Sequence, residues 1–120
     1  MPTNVGLMIG RFQPFHAGHQ ALCAQVLTRH PKVLIGIRTM ELSAANPWTP
    51  EEVAQHITAT LRQAGVRADQ FDTLILPNIG GVYYGRDVGY HVEEIVLPPE
   101  IQAISASAIR AATSARSTDE

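Results

Sequence analysis

The length and charge of the chain limit what it can be. At 120 residues it is long enough for one domain with a single core. Its formal net charge of −2 leaves no global basic field, so nonspecific nucleic-acid binding is disfavoured and any anion site must be local. No apolar run reaches the roughly 18 residues of a membrane span, and no signal-peptide pattern opens the chain. These features predict a soluble, cytoplasmic protein.

The first part of the chain alternates buried strands with helices. The predicted elements are a strand at Val5–Gly10, a helix at Ala17–Arg29, a strand at Lys32–Ile37, a helix at Pro50–Ala64 and a strand at 71–77. The strands are nearly continuous apolar runs, as in strands buried on both faces of a parallel sheet. Thr49 before Pro50 predicts the N-cap of the second helix, and Gly65 ends it. Cys23, the only cysteine, lies in the apolar pattern of the first helix, and we predict that it is a small buried hydrophobe.

The rest of the chain contains two more predicted strands, at 81–84 and 90–98, and a last helix at Ser105–Ala112. Strands that alternate with helices imply right-handed crossovers. The predicted fold class is therefore α/β: a single-domain, Rossmann-like, doubly wound parallel sheet of about five strands with helices on both faces. We place this domain at residues 1–113 and expect residues 114–120 to form a flexible tail.

The stretch "GRFQPFHAGH" connects the first strand to the first helix. In an open parallel sheet, ligands gather at such a connection. Gly10 allows close backbone approach, and Gly18 leaves room for a ligand against the exposed N–H groups of the helix start. That helix start favours phosphate, and His16 and His19 add donors that can become cationic. The stretch predicts a triphosphate site.

The two histidines have alternative interpretations. A single histidine near a helix start is usually a surface or capping residue. Two of them around a glycine favour a ligand role, because we expect neither capping nor packing to require that grouping. Zinc binding is a rival use of His16 and His19, but no further His or Cys cluster completes four ligands.

A second candidate anion site is "AISASAIR", residues 103–110. Taken alone, it reads as an ordinary helix cap with a solvent-facing arginine. Beside the first motif, Ser105 and Ser107 make a second helix start that faces an anion. Arg110, one turn in, can hold two phosphate oxygens with its guanidinium fork.

These two motifs carry a family resemblance. "HAGH" and "ISASAIR" resemble the HxGH and ISxTxIR signatures of the nucleotidylyltransferase superfamily, whose members move a nucleotidyl group from an NTP to a phosphate or similar acceptor and release pyrophosphate. Within it, "GRFQPFHAGH" is most similar to the archaeal-type nicotinamide mononucleotide adenylyltransferases. "ANPWTPEE" resembles the NPFTxxER loop of that branch, and "GYHVEEIVLP" resembles its GYEV segment. The resemblance implies transfer of AMP from ATP to nicotinamide mononucleotide, giving NAD and pyrophosphate.

The resemblance also implies residue roles. His16 and His19 would hold the α-phosphate and the bridging oxygen, while Arg11 and Arg110 would hold the β- and γ-phosphates. The other nucleotide contacts would come from Gly10, Phe12, Gln13, Gly18, Ser105 and Ser107, with Gly85, Arg86 and Asp87 at the base. Mg²⁺ would be bound through the triphosphate, since no carboxylate cluster offers a protein cage.

The chain departs from the family pattern near the acceptor. Where the family has Glu-Arg in its NPFTxxER loop, this chain has Glu52 and Val53, and Arg38 is a candidate replacement. The segment between "LILPNIGG" and "GYHV", which in the family helps to bind nicotinamide mononucleotide, is short. A cytidylyltransferase, an adenylyltransferase with a different phosphorylated acceptor, and a non-catalytic nucleotide-binding regulator therefore stay open.

Two further expectations concern the loop and the partners. The polar segment 38–50 is predicted to be a mobile flap, in which Trp48 is either a hydrophobic anchor or an aromatic wall of the site. The expected partners are ATP and a small phosphorylated acceptor. We expect no nucleic acid and no membrane partner, and a homo-oligomer is compatible with the sequence.

Overall fold

The computed structural model describes residues 4–83 together with residues 85, 92, 94, 95 and 97. Its elements, in chain order, are β1 (Gly6–Gly10), α1 (Ala17–Leu27), β2 (Val33–Arg38), α2 (Pro50–Gln63) and β3 (Phe71–Leu76). A single 3₁₀ turn at Ala68–Gln70, which the sequence did not indicate, precedes β3. The strands and helices predicted before residue 78 are confirmed to within two residues at each end.

The three strands form a parallel sheet in the order β1-β2-β3. The register pairs Gly10 with Ile37 and Arg38 with Leu76, so all three strands end at one edge of the sheet. Because both crossovers step in the same direction across the sheet, right-handed connections place α1 and α2 on the same face. The carboxyl edge is thus where the connection before α1 and the connection before α2 meet.

The core lies between that face and the two helices. Its sheet residues alternate along the strands, as pleated geometry requires, and its helix residues recur at helical spacing. The members from the sheet and the helices, all 8% exposed or less, are Met8, Val33, Ile35, Ile37, Phe71, Cys23, Val26, Val53, Ile57 and Leu61. Burying one large apolar side chain of this kind contributes about 1.5–3 kcal/mol, which fixes the sheet against the helices.

The start and end of α2 follow their sequence signals. Thr49 Oγ1 accepts a hydrogen bond from the Glu52 N–H at 3.1 Å, and Glu52 Oε1 accepts one from the Thr49 N–H at 2.9 Å. This reciprocal pair is a capping box and confirms the predicted N-cap. Gly65, just past the helix, has a φ of +94°, a conformation that favours glycine.

The doubly wound fold is confirmed in part. The described residues contain three strands, not five, and both of their helices lie on one face of the sheet. On the opposite face, Leu7 is 55% exposed and Leu74 is 44% exposed. The Rossmann-like α/β class thus holds for this part of the chain.

The elements predicted after residue 78 are not confirmed. The strand predicted at 81–84 is wrong over residues 81–83, which pair with no strand in the described part of the chain and leave Val82 73% and Tyr83 89% exposed. Of the strand predicted at 90–98, the four described residues belong to no strand, although Ile95 packs against the core. The helix predicted at Ser105–Ala112, the domain boundary at 113 and the predicted tail lie outside the described residues.

Candidate active site

The two histidines of the first connection cap α1 together. His16 is the N-cap, and its Nδ1 accepts a hydrogen bond from the Gly18 N–H at 3.1 Å. His19, three residues on, accepts one from the His16 N–H at its own Nδ1, also at 3.1 Å. This is a capping box built from imidazoles instead of a hydroxyl and a carboxylate. Both histidines therefore take part in capping, a role that we did not expect of the pair.

Capping also determines where the ring protons sit. A ring nitrogen that accepts a hydrogen bond carries a lone pair, so the proton of each neutral imidazole is on Nε2. The rings of His16 and His19 are stacked with centroids 3.8 Å apart and planes 20° from parallel. Neither Nε2–H has an acceptor among the described residues. The site therefore offers two adjacent, oriented N–H donors.

Burial keeps both imidazoles neutral at neutral pH. It lowers the pKa of His16, and it lowers the pKa of His19 to about 4, with repulsion from the neighbouring His16 as a second cause. The sequence allowed these side chains to be cationic. In the structure they are neutral hydrogen-bond donors.

Aromatic packing holds the ring of His19. It stacks on Phe15 at a centroid distance of 5.5 Å and meets Phe12 edge-on at 4.9 Å. Phe12 is 4% exposed and has a φ of 53°, a conformation that non-glycine residues adopt only where the surroundings enforce it. A Cβ on Gly10 would lie 3.0 Å from the Phe12 ring, so this glycine makes room for Phe12.

Gln13 ties the connection to the segment before α2. Its Nε2 donates to the Trp48 carbonyl at 2.9 Å, and its Oε1 accepts from the Trp48 N–H at 3.1 Å. Gln13 is 4% exposed, so these bonds are shielded from water. The Trp48 side chain is half-buried and packs against the core, which supports the anchor interpretation of this residue.

Two more contacts fasten the same connection. Arg11 Nη1 lies 3.5 Å from Asn46 Oδ1, and the Phe15 carbonyl lies 3.1 Å from His56 Nε2. Residues 11, 13 and 15 thus each contact the segment 46–56. The predicted flap is held at its second half, and its exposed residues are 41–45 and Pro47.

The structure brings one group of the predicted site residues together. The first connection contains Gly10, Arg11, Phe12, Gln13, His16, Gly18 and His19. Gly18 is buried, and its N–H is bonded to His16. Gly85 is exposed, with open space where a side chain would start. Arg86, Asp87, Ser105, Ser107 and Arg110 lie outside the described residues.

Sequence reasoning missed the residues that support the site from the second connection. Asn46, the Trp48 backbone and His56 all contact the first connection. Asn46 is polar yet only 7% exposed, and its place in the segment "ANPWTPEE" was the sequence signal that could have found it. The contacts of Trp48 and His56 involve backbone groups, which carry no sequence signal.

The sequence indicated that the chain departs from the family pattern where the acceptor is expected to bind. The structure shows where the departing residue lies. Val53, at the position of the family arginine, is 2% exposed and belongs to the core. A cleft of about 810 Å³ opens at the carboxyl edge, between residues 39–43 with Asn46 and the pair Pro77 and Asn78 after β3. It is large enough for a small ligand.

Cys23 takes no part in this chemistry. It is 1% exposed, its Sγ lies 3.3 Å from Met8 Sδ, and burial raises its pKa to about 12. The prediction of a buried small hydrophobe is confirmed. Within the described ranges, no three His, Cys, Asp or Glu side chains gather as metal ligands, and no helix is long and apolar enough to cross a bilayer.

The described part of the chain combines a parallel α/β sheet with two adjacent histidine N–H donors at the start of its first helix, an arrangement suited to a ligand at the carboxyl edge of the sheet. Comparison with known sequences specifies the family. Residues 7–75 match the cytidylyltransferase-like family, and the chain belongs to it.

Similar proteins of known name are nicotinamide-nucleotide adenylyltransferases. The protein of Thermococcus sibiricus is 33% identical over 76 residues, which cover 62% of this chain and 41% of the relative. That of Halobacterium salinarum is 41% identical over 58 residues, covering 47% of this chain and 33% of the relative. The matched regions thus span less than half of each relative.

Solved structures show the same likeness. A bifunctional NMN adenylyltransferase/ADP ribose pyrophosphatase from Francisella tularensis superimposes with a TM-score of 0.56 at 33% identity. The match covers 63% of this chain and 22% of that protein. A second structure of the Francisella protein, complexed with AMP and a Mn ion, matches equally well.

Proposed function

We propose that this chain transfers the adenylyl group of ATP to nicotinamide mononucleotide, giving NAD and pyrophosphate. The observation that carries the proposal is the pair of oriented, neutral Nε2–H donors of His16 and His19 at the start of α1. The names of the relatives from Thermococcus and Halobacterium support the same activity. The substrates are small molecules, as expected for a site at the carboxyl edge of an α/β sheet.

In the proposed reaction, a phosphate oxygen of the acceptor attacks the α-phosphorus of ATP in line. The bond from that phosphorus to the bridging oxygen breaks, and pyrophosphate leaves with the bonding electrons. Negative charge grows on the α-phosphate oxygens and on the bridging oxygen. His16 and His19 donate to these oxygens, and the capping box has already fixed their orientation, so little reorganisation is needed as the charge grows.

The remaining binding roles follow the family resemblance. Arg11, which is exposed beside Asn46, holds the β- and γ-phosphates together with Arg110. Ser105 and Ser107 add donors to the phosphates, and residues 85–87 contact the base. These groups position the triphosphate, and the enzyme forms no covalent intermediate.

A divalent metal ion fits this site only as part of the nucleotide. Both histidine Nδ1 atoms are already bonded to backbone N–H groups, and the described residues gather no carboxylate cluster. The ion, Mg²⁺ in our proposal, binds the triphosphate and neutralises part of its charge when it is present. The Mn ion in the related Francisella structure supports a divalent ion.

The test is an assay of pyrophosphate release and of the nucleotide product. The full chain is incubated with ATP or CTP, each paired with nicotinamide mononucleotide or with other phosphorylated acceptors. We expect pyrophosphate and NAD from ATP with nicotinamide mononucleotide. If pyrophosphate is released only with CTP, or only with another acceptor, the nucleotide or the acceptor must be reassigned.

A non-catalytic nucleotide-binding regulator is the second candidate. The buried Val53 in place of the family arginine favours it, because the acceptor side has lost a cation. Tight ATP binding without pyrophosphate release from any acceptor pair would establish this alternative and refute the transferase.

A further inference from the structure

Arg38 lies at the carboxyl edge of the sheet, next to the connection that contains Arg11. It is the last residue of β2 and follows Ile37, which is paired with Gly10 of β1. Arg11 follows Gly10, so the two arginines leave neighbouring strands at the same level of the sheet. Adjacent strands are about 4.8 Å apart, which puts the two backbones within reach of one small ligand.

The guanidinium of Arg38 is held by a hydrogen bond but has no carboxylate partner among the described residues. Its Nη2 donates to Asn78 Oδ1 at 2.9 Å, and Asn78 lines the cleft at the carboxyl edge. Its Nε is buried and has no hydrogen-bond acceptor among the residues that the structure describes. No carboxylate in the described part of the chain forms an ion pair with Arg38. A buried N–H that lacks an acceptor is costly to the fold, and a bound anion beside the guanidinium would offset that cost.

The surroundings favour a phosphate as that anion. Thr39 is fixed beside Arg38 because its N–H and its hydroxyl both donate to the Leu76 carbonyl, at 2.8 and 2.6 Å. Thr39 and Asn78 both line the cleft, and Arg38 lies next to Thr39 in the chain and is bonded to Asn78, so its guanidinium is held beside the cleft. A planar guanidinium presents parallel N–H donors that match two phosphate oxygens.

We propose that Arg38 binds the phosphate of the acceptor nucleotide in the cleft beside Asn78, while Arg11 serves the triphosphate. This inference rests on the proposed function. It supplies a cation for the acceptor where Val53 is buried, and it makes Arg38 the residue that selects a phosphorylated acceptor over the corresponding nucleoside.

The experiment compares ligands that differ only in the phosphate. Calorimetric titration of the full chain, with a non-hydrolysable ATP analogue present, measures the Kd of nicotinamide mononucleotide and of nicotinamide riboside. The variants are Arg38→Met, which keeps the length of the stem, and Arg38→Lys, which keeps the charge without the fork. Arg62→Met on the exposed side of α2 is the matched control.

We expect Arg38→Met to weaken mononucleotide binding by about ten- to a hundredfold, the loss of a charged hydrogen-bond pair. Binding of the riboside and of the ATP analogue stays within about twofold, and Arg62→Met changes neither ligand. Arg38→Lys falls between parent and Arg38→Met, because an ammonium lacks the fork. If Arg38→Met does not fold, Arg38→Lys provides the test. We then expect weaker binding of the mononucleotide and unchanged binding of the riboside.

Each other outcome has a definite meaning. Equal affinity of Arg38→Met and parent for the mononucleotide overturns the proposal, as does an equal loss for both ligands or no binding of the mononucleotide to the parent. If the parent binds the mononucleotide through Arg38 but releases no pyrophosphate, the transferase falls while the phosphate site stands.

Discussion

At the scale of single residues, His16 and His19 combine two tasks that the sequence presents as alternatives. Each uses Nδ1 to cap the helix, and in the proposed function each donates Nε2–H to the nucleotide. The first task orients the second, because a ring held at one nitrogen has little freedom at the other. The HxGH spacing is thus the N-cap to N3 spacing of a capping box.

Replacing His19 tests its catalytic contribution. His19→Asn keeps an oxygen acceptor for the His16 N–H, whereas His19→Ala removes the acceptor and the ring that packs on Phe12 and Phe15. We expect His19→Ala to lose at least about a hundredfold in turnover, or roughly 3 kcal/mol, while ATP affinity stays within about tenfold. His19→Asn should recover part of the rate because it restores a donor.

Steady-state kinetics and ATP titration measure these two effects on variants whose folding is checked by circular dichroism. Normal turnover by His19→Ala on a substrate that the parent uses would show that the histidine is only a cap.

The lowered pKa of His19 predicts a pH dependence of stability. Its pKa is about 4 in the folded state and about 6.5 in the unfolded chain, so unfolding takes up a proton between these values. The free energy of unfolding therefore falls as pH drops from about 6.5 towards 4, and this contribution is constant above 6.5. Urea unfolding at about pH 7 and about pH 5 should show a smaller decrease for His19→Asn than for the parent.

His30→Asn serves as the control for this measurement, since it removes a histidine from outside the site. A decrease in His19→Asn as large as that of the parent would mean that His19 is not shielded from water.

At the scale of elements, the site depends on how two connections are fastened to each other. The first runs from β1 to α1 and the second from β2 to α2, and both leave the carboxyl edge. Gln13 joins them through two hydrogen bonds to the backbone of Trp48. The position of the His16 and His19 rings therefore depends on a segment that is more than thirty residues away in the chain.

Gln13→Met tests this link. Methionine has a similar length but leaves the N–H and the carbonyl of Trp48 without their partner, which costs about 1–3 kcal/mol for a buried group. We expect a lower midpoint of urea unfolding, a shift in Trp48 fluorescence, and a lower kcat with a smaller change in the KM for ATP. Gln55→Met, at an exposed position of α2, is the matched control. Unchanged fluorescence and stability in Gln13→Met would show that the link is not needed.

At the scale of the whole molecule, the described residues supply one side of the proposed nucleotide site. They contain the histidine pair, the sheet edge and the cleft, and one sheet face has Leu7 and Leu74 exposed. The second candidate anion site, at residues 103–110, is predicted to bind the phosphates together with the first connection. We propose that binding of a triphosphate needs both motifs.

We therefore predict that Arg110→Ala weakens ATP binding and reduces its salt dependence. Loss of one charged hydrogen-bonding group costs about 1.5–3 kcal/mol, or roughly ten- to a hundredfold in Kd. Calorimetric titration at low and high salt measures both effects. Arg67→Ala, which breaks only an exposed ion pair with Asp69, is the control. An unchanged Kd in Arg110→Ala would remove the second motif from the site.

Local sequence patterns determined the elements before residue 78 and placed the candidate site at the first helix start. Apolar runs, Thr49 with Pro50, and Gly65 predicted the strands and helices before residue 78 to within two residues, because capping, backbone conformation and hydrophobic periodicity act over a few neighbouring residues. The HxGH spacing placed the histidines at the helix start for the same reason.

Only the tertiary structure decided how those residues work. The neutral state of the histidines depends on burial, and burial depends on Phe12, Phe15 and the core beneath them. The Gln13 contact with Trp48 and the unneutralised Arg38 beside Asn78 join segments distant in sequence. Desolvation and long-range hydrogen bonding arise from the packing of the whole chain, so no local pattern of residues specifies them.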